Sequence, residues 1–113
     1  MTTGDICLAA FPFGDVPGMK LRPVLLLTEP VGPIPEILVA YISSVVPAAL
    51  LASDLLMDPA LPEFRATRLK TVSVLRLHKL ATIHARSIVR GLGKLEPSGR
   101  GAVSTRLRQF LGL

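Results

Sequence analysis

The chain has a single cysteine, Cys7, no tryptophan, and only one tyrosine and four phenylalanines among its 113 residues. One thiol cannot build an internal disulfide framework, and with only His78 and His84 beside it no zinc-type ligand set is available. No cofactor is therefore expected. With so few rings the core must be assembled from Leu, Val, Ile and Ala, and the 50% hydrophobic content excludes a disordered chain. A basic segment leading into an apolar one is also missing, because Gly4 and Asp5 interrupt "MTTGDICLAAF", so no cleaved signal peptide is expected. The longest uncharged run, Ile37 to Ser53, falls short of the roughly 20 residues of a membrane-spanning helix and carries Ser43, Ser44 and Pro47. These absences point to a cytoplasmic protein, and its length to one domain over residues 1–113.

Acidic residues all but vanish from the second half. Residues 65–113 hold eleven bases against Glu96 alone, whereas residues 1–64 hold Lys20 and Arg22 against seven acids. The net charge of +5 thus hides a chain that runs from −5 to +10. Such polarity favours a polyanionic partner, either nucleic acid or an acidic protein segment; the plainer reading is a solvated face of the C-terminal helix.

What is present reads mainly as β structure. "GDICLAAF" (4–11) alternates, with Ile6, Leu8 and Ala10 on one face and Cys7, Ala9 and Phe11 on the other. "PFGDVPGM" (12–19) has the composition of an ordered loop. "PVLLLT" (23–28) reads as a buried central strand with Pro23 confined to its start, and "ILVAYISS" (37–44) as a second one ending in two hydroxyls. "SDLLMD" (53–58) forms a short strand. In "TRLKTVSVLRLHKLATI" (67–83) the apolar phase shifts after Val74, which predicts a bulge there. In "EPSGRGAVSTRLRQFLGL", Val103, Leu107, Phe110 and Leu111 recur at helical spacing, with Pro97 in a first turn and Gly112 as a stop. Short strands closed by one C-terminal helix suggest a small SH3-like barrel.

Few residues carry chemistry. Arg22 precedes a proline, which holds it in extended backbone and gives its side chain a defined direction at the strand entrance. Its guanidinium is a planar fork that matches a phosphate or carboxylate; its ordinary alternative is a strand-end Arg that snorkels or pairs with Asp15. Ser43 and Ser44 point to opposite faces, so only one of them shares a site with Arg22, and ordinary strand-end hydrogen bonding is their plainer role. No base sits beside them in sequence. A Ser-His-Asp arrangement would need His78 or His84 brought in by folding, which no spacing supports. Cys7 reads as an inert packed thiol. There is no P-loop, no GxGxxG and no paired carboxylate motif.

"GDICLAAFPFGDVPGMKLRPVLLL", "ILVAYISS", "SVLRLHKLATI", "IVRGLGKL" and the terminal "RLRQFLGL" together resemble, in order and over almost the whole chain, the MazF/PemK toxins of type II toxin-antitoxin systems. The resemblance implies an SH3-like barrel of the MazF/CcdB kind that dimerises, cleaves single-stranded RNA without a metal, and is held by a cognate acidic antitoxin. It assigns catalysis to Arg22 and to Ser43, which stands where many members have threonine. RNA contacts would come from Phe13, Lys20, Ser44, His78 and Lys79. His78 replaces an acid common among relatives and makes the local groove more basic. Phe11 and Phe13 either stack a base or pack the barrel end. The competing class is a barrel with a defective site that binds nucleic acid or protein, or that inhibits a topoisomerase in the manner of CcdB.

Overall fold

The computed structural model describes residues 1–12 and 19–113. Six strands, β1 (Asp5–Pro12), β2 (Met19–Leu26), β3 (Glu36–Ser43), β4 (Asp54–Met57), β5 (Ser73–His84) and β6 (Ile88–Lys94), form one antiparallel sheet in the order β4-β5-β3-β2-β1-β6. A helix, α1 (Pro97–Leu111), follows. Among the described residues no helix is long and apolar enough to cross a membrane.

Alternation along the strands builds two cores, one on each face of the sheet. Ile6, Leu25, Ile42, Leu55, Leu75 and Leu77 pack with Phe64, Leu95 and Val103 beneath the helix. Cys7, Ala9, Phe11, Val24, Leu26, Val39 and Tyr41 pack on the other face. Cross-strand pairs such as Ile6 with Leu25 and Cys7 with Val24 keep the two sets apart, as the period of two requires.

β4 and β6 are the two edges of the sheet and share no ladder among the described residues, so the barrel is an open one. A 3₁₀ turn over Pro62–Thr67 lies against β6 at Gly93, where a Cβ would collide with the carbonyl oxygens of Ala66 and Thr67. Backbone packed on backbone at a glycine thus bridges the gap that hydrogen bonds leave.

Pro23 is not at the start of its strand. It lies in the second half of β2, opposite Leu8 of β1. The ladder from β2 to β3 begins only at Val24, opposite Tyr41, so the stretch of β2 up to and including Pro23 is paired on one side and tolerates a residue without an N–H. The bulge in β5 also falls later than the apolar phase implies. Ala40 faces Leu80 and Tyr41 faces Arg76, which leaves Leu77, His78 and Lys79 as the extra residues, with the Leu77 N–H donated to Ser53 O at 2.9 Å.

The helix ends as expected, with Pro97 in its first turn and Gly112 left-handed at φ 72°, its N–H returning to the last turn. Val103 is buried and Leu107 packs on the core, whereas Phe110 and Leu111 stay exposed beside Leu113.

Candidate active site

The missing proline N–H has a consequence for the surface. Below the Val24–Tyr41 pair, β2 and β3 carry no shared hydrogen bonds, and a cleft of about 360 Å³ opens between them. Its wall holds Arg22 and Pro23 from β2, Tyr41 and Ser43 from β3, and then Ser44, Val45 and Ser73. Arg22 and Ser43 are therefore brought together by folding.

Register explains which side chains share the face. Arg22 and Val24 lie two residues apart on β2, Val24 pairs with Tyr41, and Ser43 lies two residues beyond Tyr41, so all four project to one side. Lys20 follows the same parity, opposite Phe11, and is exposed. The Arg22 guanidinium donates through Nη1 to the carbonyl of Leu21 at 2.9 Å, which stiffens an otherwise mobile side chain.

Ser43 is buried, and its Oγ accepts the Val45 N–H at 3.1 Å while donating to the Val45 carbonyl at a long 3.3 Å. The strand-end hydrogen bonding expected of it is there. The accepted N–H also fixes the oxygen in place, which is the work a threonine methyl would do through its rotamer. The long donor contact leaves the hydroxyl proton weakly committed. Ser44 is exposed and lines the same cleft.

Lys79 reaches over the Tyr41 ring, 5.6 Å from its centroid, and so borders the cleft. His78 lies further off, its Nδ1 2.9 Å from Ser53 Oγ and 3.9 Å from Asp54 Oδ1. Phe11 is buried against Tyr41, ring centroids 5.2 Å apart, so it packs the core and does not stack a base. Phe13 and Asp15 lie outside the described residues. Cys7 is buried, and burial followed by the charge of Asp5 pushes its thiol up, as suits a packed and unreactive group.

Sequence reasoning missed Tyr41, Ser73, Asp54 and Arg76. Arg76 binds the buried Asp54 carboxylate through Nε at 3.0 Å and Nη2 at 3.4 Å, and Leu51 N donates to the same group at 2.9 Å. A lone arginine in the apolar "SVLRLHKL" and a lone acid in "ASDLLM" were the available signal, but their pairing is a product of register.

Burial, and then the charge of Arg76, push the His78 imidazole below its ordinary pKa, with Asp54 opposing. The folded state therefore favours the neutral ring, and stability drains as pH falls below the unfolded value of about 6.5, down to the lower folded value. His78→Gln removes this proton uptake. The stability gap between wild type and His78→Gln, measured by urea unfolding at pH 7.5 and 5.5, is expected to narrow at the lower pH; a widening gap would reverse the sign.

Comparison with known proteins follows the same outline. The family model for the PemK-like, MazF-like toxin of type II toxin-antitoxin systems matches residues 2–111. Among solved structures, the Mycobacterium tuberculosis toxin MazF-mt6 is 25% identical, with a TM-score of 0.74 over 96% of this chain and 97% of that one. A mycobacterial endoribonuclease solved in complex with its cognate antitoxin is 14% identical, with a TM-score of 0.70 over 100% of this chain and 96% of that one. MazF in a MazE-MazF structure from Deinococcus radiodurans is 15% identical, with a TM-score of 0.69 over 100% and 97% of the two chains. No curated protein sequence matches the chain.

Proposed function

The chain belongs to the PemK-like, MazF-like toxins of type II toxin-antitoxin systems, and from that premise we propose that it is an endoribonuclease that cleaves single-stranded RNA without a metal. The observation that carries the proposal is the shared cleft of Arg22 and Ser43 where β2 and β3 part. A structurally similar protein is described as an endoribonuclease in complex with its cognate antitoxin, which supports the same reading at the level of the fold.

The proposed step is attack of a ribose 2′-hydroxyl on the adjacent phosphate, with its proton passing to solvent water as the O2′–P bond forms, and expulsion of the 5′-oxygen, which takes up a proton from water as the P–O5′ bond breaks. The products are a 2′,3′-cyclic phosphate and a 5′-hydroxyl. Negative charge gathers on the phosphoryl oxygens in the transition state. The Arg22 fork stabilises that charge with its planar set of N–H donors. The Ser43 oxygen is held by Val45 N–H, so its proton can turn from the long Val45 carbonyl contact to a non-bridging oxygen and hold the phosphate in line. The described lining of the cleft has no carboxylate or imidazole, so the catalysis proposed here is by positioning and charge stabilisation.

Lys20, Ser44, His78 and Lys79 are proposed RNA contacts around this centre, and the basic second half of the chain draws in the strand. Exposed Val45, Val46, Leu50 and Leu51 in the segment between β3 and β4, and Phe110, Leu111 and Leu113 at the helix end, support assembly as a homodimer and docking of an antitoxin. An acidic antitoxin segment laid over the basic groove would exclude RNA.

The test is incubation of purified protein with a long single-stranded RNA in EDTA, with cut sites mapped. Discrete cuts are expected. Ser43→Ala is expected to lower the single-turnover rate about 10²-fold, whereas Ser43→Thr keeps it within a few-fold. No cutting by a folded protein would favour the binding-module class instead.

A further inference from the structure

We propose that the seam between β1, β6 and the 3₁₀ turn is a binding site for a ribonucleoside monophosphate, separate from the cleft of Arg22 and Ser43. The inference goes beyond the nuclease reading and does not depend on it.

The site begins with an irregularity in the ladder. Ile6 pairs with Gly93 but Cys7 pairs with Gly91, so Leu92 is an extra residue on β6. β6 is also an edge of the sheet, and the Pro62–Thr67 turn packs against it at Gly93. Beside that contact a cleft of about 460 Å³ opens, lined by Asp5 and Cys7 of β1, Ala66 and Arg68 in and after the turn, and Gly91 and Lys94 of β6. Gly91 keeps the cleft clear. A Cβ placed there would meet no atom within 4 Å, and the residue is not among the left-handed glycines, so its backbone has no need of glycine.

Arg68 carries an independent mark. Among the described residues it is the one non-glycine with a positive φ, 55°, at the C-terminal end of the turn. Glycine takes that conformation without the steric cost a side chain meets, so an arginine is held there against local preference, as at sites that use their side chain. Its guanidinium has no hydrogen bond or ion pair among the described residues, and neither has the Lys94 ammonium. Two uncommitted cations on one cleft suit a phosphate.

Asp5 decides which kind of phosphate. It stands opposite Lys94 in the ladder, and its Oδ2 accepts the Thr2 N–H at 2.9 Å with the N-terminal ammonium 4.0 Å away, which leaves Oδ1 as an acceptor. A bare phosphate would meet that carboxylate as a repulsion. A ribose phosphate would not, because a carboxylate about 5 Å from the cation that holds the phosphate can accept from the sugar hydroxyls. Leu92 and the bare Gly91 backbone give the base an apolar wall.

The test is isothermal titration of the purified protein with 5′-AMP, 5′-GMP, 5′-CMP and 5′-UMP, beside inorganic phosphate and the 2′-deoxy nucleotides. An Arg22→Ala background removes the phosphate contact of the other cleft. At least one of the four is expected to bind saturably, about tenfold more tightly than phosphate and several-fold more tightly than its 2′-deoxy form. Gly91→Val, which fills the cleft with a residue that strands favour, is expected to abolish this binding. Arg68→Gly is expected to weaken it about tenfold while the thermal midpoint does not fall, since glycine relieves the left-handed strain.

No saturable binding of any of the four, binding of phosphate as tight as that of nucleotide, or binding that survives Gly91→Val would overturn the inference. Equal affinity for the 2′-deoxy form would overturn the assignment to a ribonucleotide. If Gly91→Val does not fold, Arg68→Gly decides, and undiminished binding overturns the site. Loss or persistence of RNA cleavage bears on the nuclease reading alone.

Discussion

Arg22→Ala is expected to lower the single-turnover rate of RNA cleavage about 10³-fold, the scale on which a lone arginine stabilises a phosphoryl-transfer transition state. The loss should fall on the chemical step. Arg22 projects from a half-strand paired on one side only, and its Nη1 bonds the neighbouring Leu21 carbonyl, so its removal leaves both core clusters intact. The thermal midpoint is accordingly expected to stay within a few degrees of wild type. Arg22→Lys restores the charge but not the planar fork, and is expected to recover only part of the rate. Equal rates for wild type and Arg22→Ala would remove the guanidinium from the reaction.

Asp54→Ala is expected to cost about 3 kcal/mol of stability, the lower end of the range for breaking a buried pair by deleting one partner. The deletion strands the Leu51 N–H and leaves the Arg76 guanidinium, itself 19% exposed, without its counter-charge. For a domain of this size the loss corresponds to a fall of roughly 10 °C or more in the thermal midpoint. The double replacement Asp54→Asn with Arg76→Met should be far milder, because no unpaired charge remains. Urea unfolding of both variants checks this, and an Asp54→Ala protein as stable as wild type would show that the carboxylate contributes nothing to the fold.

The two variants divide the face into a part that reacts and a part that holds. That division also separates what was legible in the sequence from what was not. β1 follows from alternation, β3 and β4 from short apolar runs, and α1 from helical spacing and the Pro97 and Gly112 signals, all of which are local. Arg22 and Ser43 were legible as residues, from the Arg-Pro pair and the strand-end hydroxyls. Their meeting was not, because it depends on where the β2–β3 ladder stops. Pro23 was misplaced for a related reason: its tolerance depends on which neighbours β2 has, and strand order is not encoded in the strand itself. The β5 bulge was expected from a change of apolar parity, yet its position is set by the pairing of Tyr41 with Arg76, a contact between distant segments. Asp54 was read as part of a short strand and no more. Nothing within its own stretch tells that Arg76 will arrive beside it.

The central claim is that Arg22 and Ser43 serve an attack by the substrate's own 2′-hydroxyl, and the chemistry of the cut ends tests it most directly. A short single-stranded RNA spanning one mapped cut site is incubated with the wild type in EDTA, beside the same RNA bearing a single 2′-deoxy nucleotide at that site, and the fragments are weighed by mass spectrometry. The account predicts a 2′,3′-cyclic phosphate and a 5′-hydroxyl from the first RNA and no cut at the modified position in the second. Ends carrying a 5′-phosphate, or cleavage that survives the 2′-deoxy substitution, would contradict it.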